Sequence, residues 1–361
     1  MTYFASRFLP ALGCALLASL ANVSPSRSEA KTSPQTPAME TNLTPNEAGQ
    51  IPILEYHELV PRLKVTGYQY PSSLFRRDME WLYDHNYRPV NLLDYVAGKI
   101  DCPAGMSPVI LTFDDSLGGQ FRYLPDGTID PNSAVGILED LHRRHDDWPL
   151  RGTFFVLTEG HGNLPPPFYQ KSTAKKKMKY LVAEGFEIGN HTVSHQLGIR
   201  HWTDEHVQAE IGGAVIDIQK YLPGYNVQEL ALPFGVYPKN DHLVVSGETR
   251  GMPYHNACAL LAGYRPAPSP MSKSFDPYHL ERIIPGDRQF EVRYWLSWLQ
   301  QNPAKRFISD GDPTTYTLPE ASRPRINLTR LQAMGFIAHF SPGPKAVPAA
   351  HKQSHKRQHK K

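Results

Sequence analysis

Two acidic residues and two histidines lie at positions where they could share one metal ion. Asp114 and Asp115 come directly after the apolar run 109–113, and a run of this length bounded by polar residues indicates a buried strand. His191 and His195 follow a second apolar run. Because parallel strands present the residues after their carboxyl ends at one edge of a sheet, we expect the four side chains to meet there.

The donor types fit a divalent cation that keeps open coordination positions. His191 and His195 are four residues apart, which on a helix or helical turn brings both ring nitrogens within reach of one ion. Two imidazoles and one carboxylate form a facial triad that leaves room for water and substrate. An Asp-Asp pair or a His pair alone more often has a structural or surface role, so the prediction depends on their combination. The sequence has no Cys-x-x-Cys pair, which argues against a thiolate zinc site.

Strands alternate with helices through most of the chain, which is typical of a parallel sheet, either barrel or doubly wound. Strands are expected at residues 51–57, 88–92, 109–113, 152–157, 186–189, 228–232 and 282–284. Amphipathic helices are expected to begin at Ser73, Ser133, Ala174 and Thr203, and further helices are expected over 258–261 and 290–299. His57 and Arg282 each lie at one end of an expected strand.

The composition divides the chain into five parts. We expect a secretory signal at 1–30, a disordered linker at 31–50, an α/β domain at 51–304, a short β-rich extension at 305–340, and a basic disordered tail at 341–361. The signal predicts export, so the protein is expected to be secreted, periplasmic or bound to the cell envelope. No stable membrane span is expected beyond the signal segment, with a retained N-terminal anchor as the alternative.

Charge and cysteine content limit the function classes further. The formal net charge is +3, and the tail from residue 341 carries six basic residues and no acidic one. The rest of the chain is therefore mildly acidic, which argues against binding of nucleic acid. Cys102 and Cys258 lie outside the signal segment, and the sequence does not decide whether they pair. It does not decide the oligomeric state either.

Three motifs resemble those of the polysaccharide deacetylases, the carbohydrate esterase family 4 with a NodB-homology domain. The motifs are Thr112-Phe-Asp-Asp115, His191-Thr-Val-Ser-His195 and Leu232-Pro-Phe-Gly235, and the likeness covers about residues 51–299. The resemblance implies an α/β protein with a distorted (β/α)7–8 barrel. It also implies a metal-dependent hydrolase that cleaves carbon–nitrogen bonds in an acetylated polysaccharide.

The resemblance implies roles for the motif residues. Asp115, His191 and His195 would bind the metal, Asp114 would be the general base, and Pro233, Phe234 and Gly235 would form the substrate and oxyanion site, with the Phe234 N–H as donor. Zinc is the expected ion, and nickel, cobalt, iron and manganese remain alternatives.

The general acid departs from the commonest family pattern, which has a late Leu-x-His motif. Tyr56-His57 at the end of the first strand is similar to the biofilm poly-N-acetylglucosamine deacetylase branch, where the catalytic histidine comes from an N-terminal position. His57 is therefore the expected acid. His339 is the late candidate, and a capping or core role is the alternative for His57.

A second departure is Ala231, where many relatives have an arginine that orients the base. Arg282 is the candidate replacement. Tyr56, Phe234, Tyr237 and Trp295 are candidate stacking partners for a sugar ring, with a core role as the alternative for Trp295.

The leading prediction is a secreted N-deacetylase acting on a β-linked N-acetylglucosamine polymer. The alternatives are a peptidoglycan deacetylase, an O-acetyl esterase of the xylan type, and a glycan-binding protein with impaired catalysis.

Overall fold

The structure is a computed structural model that describes residues 43–62, 66, 68–158 and 164–343. The predicted signal segment, most of the predicted linker and the tail beyond Gly343 lie outside the described residues. The strands are β1 (Ile53–Tyr56), β2 (Glu58–Val60), β3 (Gln69–Pro71), β4 (Tyr87–Pro89), β5 (Ser107–Phe113), β6 (Thr153–Val156), β7 (Glu187–Asn190), β8 (Glu229–Ala231), β9 (Ser246–Thr249), β10 (Met252–His255), β11 (Cys258–Leu260), β12 (Thr315–Pro319) and β13 (Ile337–Ser341).

The helices surround the sheet and agree with most of the apolar periodicity. They are α1 (Ser72–Asp84), α2 (Leu92–Val96), α3 (Ala134–Arg144), α4 (Ala174–Glu184), α5 (Asp204–Tyr221), α6 (His242–Val245), α7 (Val292–Gln301) and α8 (Leu328–Ala333). Ser133 and Thr203 cap α3 and α5 through their hydroxyls, as predicted. Ser73 does not cap α1, which begins one residue earlier without a side-chain cap. None of the helices in the described part of the chain combines the length and apolar content needed to cross a bilayer.

The central sheet has seven parallel strands, in the order β1-β5-β6-β7-β8-β11, with β4 pairing with the start of β5. The segment 280–283 completes the distorted barrel, because it forms parallel bridges to both end strands. Leu280 pairs with Leu260 on β11, and Ile283 pairs with Leu54 on β1. The predicted barrel is therefore confirmed, and its carboxyl edge collects the residues that follow each strand.

Alternation along the strands divides the core into two layers. Leu54, Leu111 and Phe154 pack outward against the helices, whereas Ile53 and Ile110 belong to an inner cluster. The inner cluster continues into the C-terminal extension, whose β12 and β13 form a parallel pair around α8. The extension therefore packs on the core at the amino edge of the barrel.

Two predictions about order and secondary structure are corrected. Residues 46–50 were expected to belong to a disordered linker, but Asn46 donates to the carbonyl of Ile308 and Gln50 to that of Lys305, at 2.8 and 2.7 Å. Residues 258–261 were expected to be helical, but β11 covers 258–260, because these buried side chains complete a parallel sheet. Cys102 and Cys258 are both buried and free.

Candidate active site

The carboxyl edge of the barrel brings the predicted polar residues together. Asp114 and Asp115 follow β5, His57 follows β1, and His191 and His195 follow β7. The backbone N–H of Asp114 donates to the carbonyl of Tyr56 at 2.9 Å, so the ends of β1 and β5 stay in register up to the site.

Asp115, His191 and His195 form a compact group of donor atoms. Asp115 Oδ1 lies 3.2 Å from Nε2 of His191 and 3.2 Å from Nε2 of His195. Asp115 Oδ1 and His191 Nε2 are buried and have no hydrogen-bond partner among the described residues. Buried polar atoms are rarely left unpaired, and these converge on one point. Their number and type fit a divalent cation.

Each of the three side chains has an environment that suits a ligand. Burial opposes ionisation of Asp115, but neighbouring His191 lowers the pKa of the carboxyl below its usual value. Burial and the adjacent His191 lower the pKa of His195, which favours the neutral ring. Burial also disfavours the charged form of His191, yet Asp114 raises its pKa, so a bound cation would compete with a proton there.

The His191 ring is oriented by a backbone group. Its Nδ1–H donates to the carbonyl of Ala231 at 2.9 Å, because a carbonyl oxygen can only accept. This bond fixes the tautomer and leaves Nε2 directed at Asp115. Ala231, which stands where many relatives have an arginine, therefore contributes through its main chain.

The segment from His191 to His195 is a bend rather than the helical turn predicted from the spacing. Thr192 and His195 have φ values of 63° and 53°, in the left-handed region. The carboxylate of Glu210 stabilises the bend by accepting the backbone N–H groups of Val193 and Ser194 at 3.1 and 2.8 Å. The two imidazoles end 4.9 Å apart between ring centroids.

Asp114 is buried in a two-point ion pair with Arg282. The guanidinium donates to Oδ1 at 2.6 Å and to Oδ2 at 2.8 Å, and its Nε donates to the Leu261 carbonyl at 3.0 Å. Burial alone would raise the pKa of Asp114, but the Arg282 charge and hydrogen bonds hold it well below its usual range. The segment that completes the barrel thus supplies the positive charge that Ala231 does not.

His57 and Glu55 complete the buried charge arrangement. His57 Nε2 lies 4.0 Å from Asp114 Oδ2 and 3.7 Å from Glu55 Oε1, and Glu55 Oε2 lies 3.4 Å from Arg282 Nε. Sequence reasoning missed Glu55, although residues two apart on a strand share a face. Glu55, His57 and Asp114 are also spaced to bind a cation. The Arg282 guanidinium already pairs with Asp114 and lies 3.4 Å from Glu55, so its positive charge disfavours a second metal there.

Pro233, Phe234 and Gly235 form a short 3-10 turn after β8. Phe234 has a φ of 58°, its side chain is 55% exposed, and its ring centroid lies 4.9 Å from that of His195. Among the described residues its backbone N–H donates no hydrogen bond. A free amide beside the metal group has the position expected of an oxyanion donor.

The remaining aromatic candidates differ in position. Tyr56 is buried against Phe75, with ring centroids 4.8 Å apart, so it cannot contact a sugar and that prediction is corrected. Strand alternation explains this, because Tyr56 and His57 point to opposite faces. Tyr237 is half-buried and stacks on His279 at 4.7 Å.

Trp295 and His339 lie in other surroundings. The half-buried Trp295 is on α7, where its indole N–H donates to the carbonyl of Tyr264 at 2.6 Å. His339 is exposed on β13 in the extension and belongs to neither group of candidate ligands. Of the two candidate acids, His57 is therefore the one that lies beside the candidate base, at 4.0 Å from Asp114 Oδ2.

Comparison with known proteins gives a family match over part of the chain and solved structures with a similar fold. Residues 103–246 match the family described as polysaccharide deacetylase. No curated protein matches the chain in sequence. A solved polysaccharide deacetylase from Bacillus cereus is similar in structure, with 18% identity, a TM-score of 0.50, and coverage of 69% of this chain and 68% of that chain.

Two further solved structures are similar at lower scores. The Streptococcus pyogenes deacetylase PplD in complex with acetate has 20% identity and a TM-score of 0.48, covering 67% of this chain and 95% of its own. IcaB from Ammonifex degensii has 19% identity and a TM-score of 0.46, covering 71% of this chain and 100% of its own. His57, Glu55 and Arg282 lie outside the residues matched by the family.

Proposed function

We propose that this protein removes N-acetyl groups from a β-linked N-acetylglucosamine polymer outside the cytoplasm. The match of residues 103–246 to the polysaccharide deacetylase family supports the reaction class. The observation that carries the proposal is the position of His57. It is supplied by β1 and lies 4.0 Å from Asp114, which itself is adjacent in sequence to the metal group. This N-terminal origin is the feature in which the sequence resembles the biofilm polysaccharide deacetylases.

Asp115, His191 and His195 would bind the metal ion, for which zinc is the leading expectation. A divalent ion at such a site supplies Lewis acidity and lowers the pKa of water to about 7. The unpaired Oδ1 of Asp115 and Nε2 of His191 support this assignment. Nickel, cobalt, iron and manganese accept the same donors, so the metal is to be identified by analysis of the purified protein.

Asp114 would accept the proton of the attacking water. Arg282 keeps this carboxylate ionised and fixes its orientation through two hydrogen bonds, so the base does not need to reorganise. The arginine also supplies the positive charge whose absence at Ala231 favoured a binding protein without catalysis, which supports the proposal of an enzyme.

His57 would donate the proton that the leaving amine needs, and the N–H of Phe234 would stabilise the oxyanion formed by attack on the amide carbonyl. The acid and the oxyanion donor come from different strands, β1 and β8, with the metal group between them in sheet order. Hydrolysis then releases acetate and a free amine.

The activity test is acetate release from N-acetylglucosamine oligomers, with peptidoglycan and O-acetylated xylan as alternative substrates. Asp114→Asn and His191→Ala are expected to reduce kcat by at least about 100-fold, as for loss of a general base. Asp126→Asn, an exposed acid in a loop, is the matched control and should retain wild-type rates. Equal rates in all variants would contradict the mechanism, and activity on O-acetylated xylan alone would contradict the proposed bond.

Export is proposed from the N-terminal sequence alone. The expected result is a mature protein that lacks its first residues when recovered from outside the cytoplasm, as determined by N-terminal sequencing. Recovery of the uncleaved chain from the cytoplasm would contradict it.

A further inference from the structure

Two exposed tyrosines flank the candidate active site and have no role in the chemistry described above. Tyr68 is 47% exposed, and its ring centroid lies 5.4 Å from the His57 imidazole. Tyr169 is 49% exposed and packs over Gly118, where an added Cβ would lie 3.0 Å from the tyrosine ring. Gly118 lies three residues after the ligand candidate Asp115, so both rings are next to segments that carry residues of the site.

Tyr169 is presented by a strained turn that is tied to the active site. Phe168 and Tyr169 both have positive φ values, 58° and 57°, which are unfavourable for bulky residues. The buried Phe168 anchors the turn, and its N–H donates to the carbonyl of Ser116 at 2.6 Å. Ser116 directly follows the ligand candidate Asp115, so this hydrogen bond fixes the turn next to the metal group.

Strain of this kind persists only where the surrounding structure enforces it, and it is concentrated at functional sites. Here its result is one aromatic side chain inside the core and the next one in solvent beside the site. Lys177 reinforces the turn, because its buried ammonium donates to the carbonyl of Phe168 at 3.1 Å. An exposed ring gains little in folding from such an arrangement, which favours a role in binding.

The chemistry of the pair fits a sugar. A tyrosine offers a flat apolar face and a hydroxyl that can hydrogen-bond, and both side chains are about half exposed to solvent. Phe234 adds a third exposed ring beside His195. Pyranose rings have apolar C–H faces rimmed by hydroxyls, and such sites combine aromatic faces with a few polar groups.

We propose that Tyr68 and Tyr169 bind a sugar residue adjacent to the one that is deacetylated, so that the protein acts on oligomers in preference to single acetylated groups. This inference rests on the proposed function and adds a substrate-length preference to it. The tyrosines bind and align the chain, and they take no part in proton transfer.

The test compares kcat/KM for an N-acetylglucosamine pentamer with kcat/KM for 4-nitrophenyl acetate, using the metal-loaded full-length protein. Tyr169→Ala and Tyr68→Ala are expected to lower the ratio of pentamer to ester activity roughly tenfold each, mainly through KM, as for loss of one aromatic contact. Tyr169→Phe keeps the ring and should recover most of the ratio. Tyr264→Ala is the control, because this tyrosine is 69% exposed and makes no aromatic contact with another residue that the structure describes.

Each outcome decides between the two proposals. Equal losses on pentamer and ester would mean that the tyrosines only maintain the site, which overturns the inference. If wild type deacetylates the pentamer and the tyrosine variants keep the wild-type ratio, the inference is overturned and the proposed function stays intact. A wild type that hydrolyses the ester but no acetylated oligomer would contradict the proposed function and this inference with it.

Discussion

Buried carboxylates lie at both edges of the barrel, and their surroundings differ. At the carboxyl edge, Asp114 has both oxygens bound by Arg282. At the amino edge, Glu47 accepts the backbone N–H groups of Thr317 and Asp310 at 2.6 and 3.4 Å, and no cation pairs with it among the described residues. Burial raises the pKa of Glu47 to about 9, and Asp310 adds to that rise, whereas the pKa of Asp114 lies well below its usual range.

The difference shows what keeps a buried carboxylate ionised. Burial favours the neutral acid at both edges, so burial does not make a proton acceptor. A guanidinium in two-point contact reverses the effect, and the residue that provides it comes from the segment that completes the barrel. At the amino edge, Glu47 joins the extension to the core by accepting backbone hydrogen bonds, and a neutral carboxyl group can accept them as well.

Arg282→Leu should have the largest effect, because it removes the cation that distinguishes Asp114 from Glu47. The substitution leaves Asp114 buried and charged without a partner, so we expect the free energy of unfolding to fall by about 3–5 kcal/mol. Urea denaturation measures the change, and deacetylation should be lost in parallel. The double variant Arg282→Leu/Asp114→Asn removes the uncompensated charge and should recover much of the stability.

An exposed ion pair provides the matched control for Arg282→Leu. Arg265 pairs with Glu281 near the same edge, and its side chain is 66% exposed. Arg265→Leu should cost no more than about 1 kcal/mol, because solvent screens such pairs. Similar losses for Arg265→Leu and Arg282→Leu would contradict the assignment of a special role to the buried pair.

Much of this site could be predicted from local sequence, because strand ends and motifs are local features. Asp114, Asp115, His191 and His195 were placed correctly at one edge by that reasoning. Arg282 is the sequence candidate for the positive charge beside Asp114 because it lies at one end of another expected strand, and the structure brings the two side chains together. The predictions of their chemical roles still require the experiments described above.

The one error about a side chain could have been avoided from the local pattern, whereas the other differences have causes outside it. Tyr56 was misplaced although strand alternation already separated it from His57. The bend from His191 to His195 depends on backbone N–H groups that donate to the Glu210 carboxylate, and the exposure of Tyr169 depends on two left-handed residues. Such features arise from tertiary contacts and cannot be read from spacing alone.

Glu47→Gln tests whether the buried carboxyl at the amino edge is neutral, through the pH dependence of the free energy of unfolding. The ordinary pKa of this group is 4.5 and its folded value is about 9, so between these values the folded state keeps a proton that the unfolded state has lost. Wild-type stability should therefore fall as pH rises, by up to about 1.4 kcal/mol per pH unit from this group. The glutamine variant should lack this contribution. The lowered pKa of Asp114 acts in the opposite sense, since its contribution is lost only on acidification below about pH 4.

Urea denaturation at pH 6 and pH 8 measures the difference between wild type and Glu47→Gln. The difference should change by about 2–3 kcal/mol between the two pH values. Glu320→Gln, in an exposed pair with Arg323, is the control and should show almost no change. A constant difference for Glu47→Gln would mean that this carboxyl is ionised in the folded protein and that the two edges do not differ.

Glu55 combines features of both edges, so Glu55→Gln tests which of them determines its role. Burial raises its pKa, as for Glu47, but Arg282 and His57 lie 3.4 and 3.7 Å away and favour its charge, as for Asp114. If Glu55 orients His57 for proton donation, the amide variant should lower kcat roughly tenfold, a modest part of the effect of a general acid. Its metal content should not change, because Glu55 is not among the three ligand candidates.

Glu229→Gln is the control for this substitution. Glu229 is a fully buried acid on β8 whose pKa burial raises well above its usual value, so the variant should leave kcat nearly unchanged. A loss of metal in Glu55→Gln, or an equal fall in kcat in Glu229→Gln, would assign Glu55 to the structure of the barrel rather than to the alignment of His57.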